Sequence, residues 1–122
     1  GPSAPPQASD SHVFVGSWDD RIYAYRKDRP EIPDWNWRTD GDILTRPVAD
    51  SPSVFVASTD GNLHTFDASS GEVKWTFDSE KRLLLDPVVF KKLLYLGGED
   101  YNVYVLNVLD GQLEYRFCAG AP

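Results

Sequence analysis

The sequence predicts an all-β chain made of three four-stranded antiparallel meanders. Two observations carry that prediction. Short segments rich in β-branched and aromatic residues are cut about every ten positions by Gly, Asp, Asn, Ser or Pro, the pattern of strands and turns. The whole pattern then repeats with a fixed period. Val13, Val54 and Leu94 stand 41 and 40 residues apart, and Pro6, Pro47 and Pro87 do the same. Trp35, Trp75 and Tyr115 stand 40 and 40 apart, as do Trp37, Phe77 and Phe117. A period of this length built only of short strands points to β-propeller blades. A helical repeat of similar length is excluded by the period-2 alternation. The rival, one sandwich or barrel of about twelve strands, rarely shows fixed-period self-similarity.

The reference repeat is Ser53–Phe77. Val54–Ser58 and Leu63–Phe66 alternate in character as half-buried strands do, and Thr59-Asp60-Gly61-Asn62 supplies a tight turn between them. Asp67–Gly71 is a second turn cluster, followed by a last strand from Val73. With the segment after Pro47, the second repeat is expected to hold strands at 47–50, 53–58, 63–67 and 73–78. The chain divides into a flexible N-terminus at 1–5 and blades at 6–46, 47–86 and 87–122. Gly1-Pro2 resembles the scar left by a tag-cleaving protease, and no signal peptide is recognisable. The one-residue difference in period falls between Tyr25 and Trp35, where Arg26–Asp34 carries two prolines. Insertions in such turns cost little.

At 122 residues the chain suits one modest domain, and 41% hydrophobic and 13% aromatic residues support a packed core rather than disorder. A net charge of −7 argues against nucleic acid or an anionic membrane as partner, because phosphate binding needs clustered Lys and Arg. No apolar run approaches membrane-spanning length. Cys118 is the single cysteine, so it has no partner for an internal disulfide.

One segment identifies a family. Thr65-Phe66-Asp67-Ala68-Ser69-Ser70-Gly71-Glu72-Val73-Lys74-Trp75 resembles the tryptophan-docking motif A-x-D-x-x-T-G-x-x-x-W of pyrroloquinoline-quinone-like (PQQ-like) propeller repeats. Asp67, Gly71 and Trp75 match outright. The third copy keeps the spacing with Asn107, Gly111 and Tyr115, and the first keeps Ala24 and Trp35 but has Arg26 for Asp and no Gly. The motif's logic is structural: the Asp or Asn accepts backbone N–H groups across a turn, the Gly permits a left-handed turn, and the indole packs between blades.

The resemblance implies a non-catalytic scaffold, sensor or assembly domain in an extracytoplasmic compartment. Relatives of that kind include outer-membrane assembly lipoproteins, sensor-kinase ectodomains and luminal stress-sensor domains. The alternative it leaves open is a fragment of a PQQ-dependent oxidoreductase. Enzymes of that type use vicinal cysteines, a catalytic Asp and Ca²⁺ ligands from different blades, and this chain has one Cys and three blades. No cofactor, metal or catalytic residue is therefore expected.

Little else suggests chemistry. His64 stands at the strand position of Tyr23 and Tyr104, so it reads as a strand side chain. No His/Cys/carboxylate cluster has ligand spacing. Asp78, Glu80 and Asp86, interleaved with Lys81 and Arg82, read as a solvated face, and Lys91-Lys92 as a hairpin tip. In a propeller, the turns between second and third strands emerge on the same side as the loops between blades. That side carries the candidate protein-binding residues Trp18, Asp19, Arg21, Leu84 and Tyr101. Leu83-Leu84-Leu85 is unusually apolar for such a loop. Three blades leave two open ends, so the ring is partial or completed by oligomerisation, and self-association through the open edges is expected.

Overall fold

A computed structural model describes residues 6–17, 19–39, 41–43, 46–83, 85–99 and 101–118. Twelve strands occur among them and form three separate four-stranded antiparallel sheets in simple sequence order. The first sheet holds β1 (Gln7–Ala8), β2 (His12–Gly16), β3 (Arg21–Arg26) and β4 (Trp35–Arg38). The second holds β5 (Val48–Asp50), β6 (Ser53–Ala57), β7 (Asn62–Asp67) and β8 (Val73–Asp78). The third holds β9 (Val88–Phe90), β10 (Leu93–Gly97), β11 (Asn102–Asn107) and β12 (Leu113–Cys118). These are the propeller blades read from the repeat. The short first strands of successive blades approach one another, β1 to β5 and β5 to β9, so they lie innermost and the fourth strands outermost. The sheets do not close into a ring.

Registers repeat with the sequence. Val54 faces Phe66 and Phe55 faces Thr65 across β6 and β7, as Leu94 faces Leu106 and Tyr95 faces Val105 across β10 and β11. Both outer pairs carry a bulge at the same place, between Thr65 and Phe66 and between Val105 and Leu106. The extra residue of a bulge bends the outer strand, and here it lies just before the residue facing Val73 or Leu113. In the first blade β4 starts at Trp35. The longer Arg26–Asp34 turn occupies that place, closed by an Arg26–Asp28 ion pair at 2.7 Å.

Two cores lie between consecutive blades. Phe14, Ile22, Ala24 and Ile43 meet Val54, Val56 and Phe66 between blades one and two. Phe55, Ala57 and Leu63 meet Leu83, Leu94, Leu96, Tyr104 and Leu106 between blades two and three. The alternation in the reference repeat predicts a half-buried strand, yet all five residues of β6 are buried. The middle blade is covered on both faces, so the side chains pointing each way enter one core or the other. By contrast every residue of β12 is exposed.

Candidate functional site

The joints between blades are built by the tryptophans. The Trp35 Nε1–H donates to the Ala68 carbonyl at 3.0 Å, and Trp75 Nε1–H to the Val108 carbonyl at 3.1 Å. Each indole lies over the glycine of the next blade. A Cβ at Gly71 would stand 2.6 Å from Trp35 Cδ2, and one at Gly111 2.4 Å from Trp75 Cε3. Both glycines sit in the left-handed region, at φ 77° and 74°, where only glycine reverses the chain without steric cost. The turn that offers the carbonyl is set by its first residue. Asp67 Oδ1 accepts the Ser69 and Ser70 N–H groups, both at 3.0 Å, and Asn107 Oδ1 accepts that of Leu109 at 2.9 Å. The Ser70 N–H, foremost, holds the Asp67 carboxyl below its ordinary range. Trp75→Phe removes one donor while keeping a ring in the joint. The expected loss is about 1 kcal/mol in urea unfolding, because the Val108 carbonyl loses its partner.

Tyr115 occupies the equivalent place on the third blade. It is 50% exposed, beside Phe117 at 45% and Leu113 at 47%, so this end presents an apolar face. Tyr115 and Phe117 stack with centroids 6.2 Å apart. Burial, and then the neighbouring Tyr95, raise the Tyr115 phenol above its ordinary range.

The opposite feature is the end carrying the turns between second and third strands. All three of these turns have one geometry. The N–H groups of Asp20, Gly61 and Tyr101 donate to the carbonyls of Ser17, Ser58 and Gly98, each at 3.2 Å. All three residues are left-handed, at φ 64°, 93° and 64°. Only the middle turn uses glycine. The loop after each of the first two blades locks onto that blade's turn through a hydroxyl that sequence reasoning missed. Thr39 Oγ1 donates to the Asp20 carbonyl at 3.0 Å, and Ser79 Oγ to the Gly61 carbonyl at 3.0 Å. Both are buried. The signal was available, since a Ser or Thr recurs 40 residues apart between outer strand and loop.

Of the candidate binding residues, Asp19 and Arg21 share the first-blade turn and Tyr101 tops the third-blade turn. Trp18 and Leu84 lie outside the described residues. Asp19 accepts a short hydrogen bond from the Tyr23 hydroxyl, which is the main reason its carboxyl is held low and that phenol high. Arg21 donates to Asn36 Oδ1 at 2.8 Å. Tyr101 is exposed. Leu83 is buried in the second core, whereas Leu85 is exposed with its Cδ1 lying against Gly97. Among the described residues no group of three or more His, Cys, Asp or Glu is arranged to hold a metal ion.

This end is acidic, and its carboxylates titrate in opposite senses. Asp20 is raised, first by a hydrogen bond with the Asp42 carboxyl and also by that group's charge. Its ionisation opposes folding, so the cost is full above its folded pKa and is relieved as pH falls through that value. Asp60 is lowered: burial pushes it up, but the Ser58 hydroxyl and the Asn62 N–H outweigh that. Its contribution is present above the ordinary value of 3.8 and is lost as pH falls through the lower folded one. Asp42→Asn is therefore expected to raise the neutral-pH melting temperature, with the gain vanishing at acid pH. Thermal scans from pH 7 to 3 check it.

The comparisons with known proteins agree with this architecture. The family model described as "Outer membrane protein assembly factor BamB" matches residues 31–121. The chain is 30% identical to the assembly factor BamB of Yersinia pestis over 114 residues, covering 89% of this chain and 29% of that protein. It is 28% identical over 111 residues to the beta-alanine-activating enzyme of Mus musculus, covering 85% of this chain and 10% of the enzyme. The crystal structure of BamB from Moraxella catarrhalis superposes with a TM-score of 0.83 at 17% identity, over 95% of this chain and 36% of that one. The chain thus spans less than a third of the Yersinia protein. With its three blades, docked indoles and matched repeat, it belongs to the BamB-like family of PQQ-type propeller repeats.

Proposed function

We propose that the chain is a non-catalytic propeller module, part of an extracytoplasmic scaffold that takes part in outer-membrane protein assembly as its BamB relatives do by name. The observation that carries the proposal is the set of three superposable turns with different tips. The backbone is constant, yet Tyr101 and Asp20 hold left-handed positions where the middle blade uses glycine. A tyrosine there costs about 1–2 kcal/mol, and an aspartate less. Such a cost at an exposed turn tip fits a surface selected for contact. Asp19, Arg21 and Tyr101 form the described part of that surface, and Trp18 and Leu84 belong to it by sequence position.

A photo-crosslinking residue at position 101 should capture an envelope protein, while the same residue at exposed Lys27, on the opposite end, should not. Equal labelling from both positions would overturn the reading. The oxidoreductase alternative predicts saturable spectral changes when the chain is titrated with PQQ and Ca²⁺, and none are expected. The open face of Tyr115, Phe117 and Leu113 leads us to infer self-association as well. Analytical ultracentrifugation at micromolar concentration should show species heavier than 13.7 kDa, and a clean monomer would refute it.

A further inference from the structure

The repeat provides its own control for one feature that the scaffold does not require. At the end opposite the acidic turns, a cleft of about 500 Å³ opens between blades two and three. Its lining includes Lys74, Lys91 and Lys92, against one carboxylate, Asp50. Three of the twelve cations of an acidic chain thus converge on one opening. Among the described residues none of the three forms an ion pair within salt-bridge distance.

Two of these ammonium groups are held rather than loose. Lys74 Nζ donates to Ser53 Oγ at 2.9 Å, and Ser53 itself is buried. Lys91 Nζ lies 5.3 Å from the centroid of the Phe90 ring. The floor is apolar, with Phe55 and Val108 buried there, while Phe90 and Leu109 stand exposed at its sides.

The joint between blades one and two shows what the scaffold needs at the same positions. There His12 replaces Ser53 and Asp34 replaces Lys74, and the two form a closed pair, Nε2 to Oδ2 at 2.8 Å. Ser51 and Pro52 stand where Lys91 and Lys92 do. A sound joint therefore forms without a single lysine. Lys91 and Lys92 also sit against local preference. They are the two central residues of the β9–β10 hairpin, at φ 50° and 65°, where Asn-Gly is the favoured pair.

We propose that this cleft binds an extended acidic peptide segment, with carboxylates on the three lysines and an apolar side chain against the exposed Phe90 and Leu109. A cationic rim over an apolar floor fits a ligand that is both anionic and apolar, and charge complementarity selects acidic over basic segments. The choice of a peptide rests on the scaffold reading, but the site lies at the other end of the blades from Asp19, Arg21 and Tyr101.

The test uses a fluorescein-labelled peptide, Asp-Glu-Phe-Glu-Asp, titrated with the 122-residue chain and followed by anisotropy. Controls are the same peptide with Ala for Phe, the basic peptide Lys-Arg-Phe-Arg-Lys, and inorganic phosphate as competitor. Saturable binding is expected, weakened at least about tenfold by Lys74→Gln combined with Lys92→Gln, and weakened further by salt. The separating variant is Lys91→Asn with Lys92→Gly. It relieves the turn, so the melting temperature should rise by about 4 °C or more while binding falls. A purely structural role for these lysines cannot move the two readouts in opposite directions.

Absent binding, binding indifferent to the lysine substitutions, equal binding of the basic peptide, or full displacement by millimolar phosphate with no effect of the Phe would each overturn the proposal. Loss of peptide binding with intact crosslinking from position 101 would remove this site alone. The reverse result would remove the acidic-face reading and leave this one standing.

Discussion

Replacing Gly111 by alanine lowers the stability of the chain by about 3 kcal/mol, with two effects acting together. The residue is left-handed at φ 74°, which costs a non-glycine residue about 1–2 kcal/mol. Its new Cβ would also lie 2.4 Å from Trp75 Cε3, far inside contact distance, and relief of such overpacking typically costs 1–3 kcal/mol. The indole can move only by giving up its bond to the Val108 carbonyl. Because each blade contacts only its neighbours, the damage is confined to one joint. Urea unfolding followed by Trp fluorescence should therefore become biphasic, with the third blade separating first. A single transition at the wild-type midpoint would contradict this account.

Phe66→Ala has the larger effect, a loss of about 3–5 kcal/mol. Phe66 is fully buried and its ring touches three others, Trp35 at 5.5 Å, Trp37 at 5.7 Å and His64 at 6.1 Å between centroids. Truncation leaves a cavity that two blades of rigid aromatics are poorly able to fill, and the total stability of a domain this size is only about 5–15 kcal/mol. The first joint should open, with a red shift of Trp35 and Trp37 emission. Gly111→Ala, by contrast, should perturb Trp75. The two variants together test whether the joints are independent, since additive losses are expected for sites that share no partner.

These joints are legible in the sequence because their residues recur at fixed spacing and each works through local chemistry: a carboxylate at a turn, a glycine four residues on, an indole four beyond that. Strand positions in the second blade were readable for the same reason, to within a residue or two. Burial was less so. The alternation in Val54–Ser58 predicts one wet face, and only the stacking of a blade on either side makes strand Ser53–Ala57 dry throughout. The lysine cleft escaped for a related reason. Lys74 belongs to an outer strand and Lys91-Lys92 reads as an ordinary hairpin tip, and nothing in their linear spacing shows that one blade brings its turn over the edge of another. The His12–Asp34 pair is hidden similarly, its partners standing 22 positions apart.

The indole-on-glycine joint also gives the array a polarity. Every joint has a plug on the earlier blade and a socket on the later one. Tyr115 stands at the plug position of the third blade and is half exposed. The first blade has no such socket: Arg26–Asp34 contains no glycine, and two prolines and an Arg26–Asp28 pair occupy its turn. The second repeat carries both parts, receiving Trp35 over Gly71 and sending Trp75 over Gly111. Each joint is therefore directional, with the indole always supplied by the earlier blade and the glycine turn by the later one.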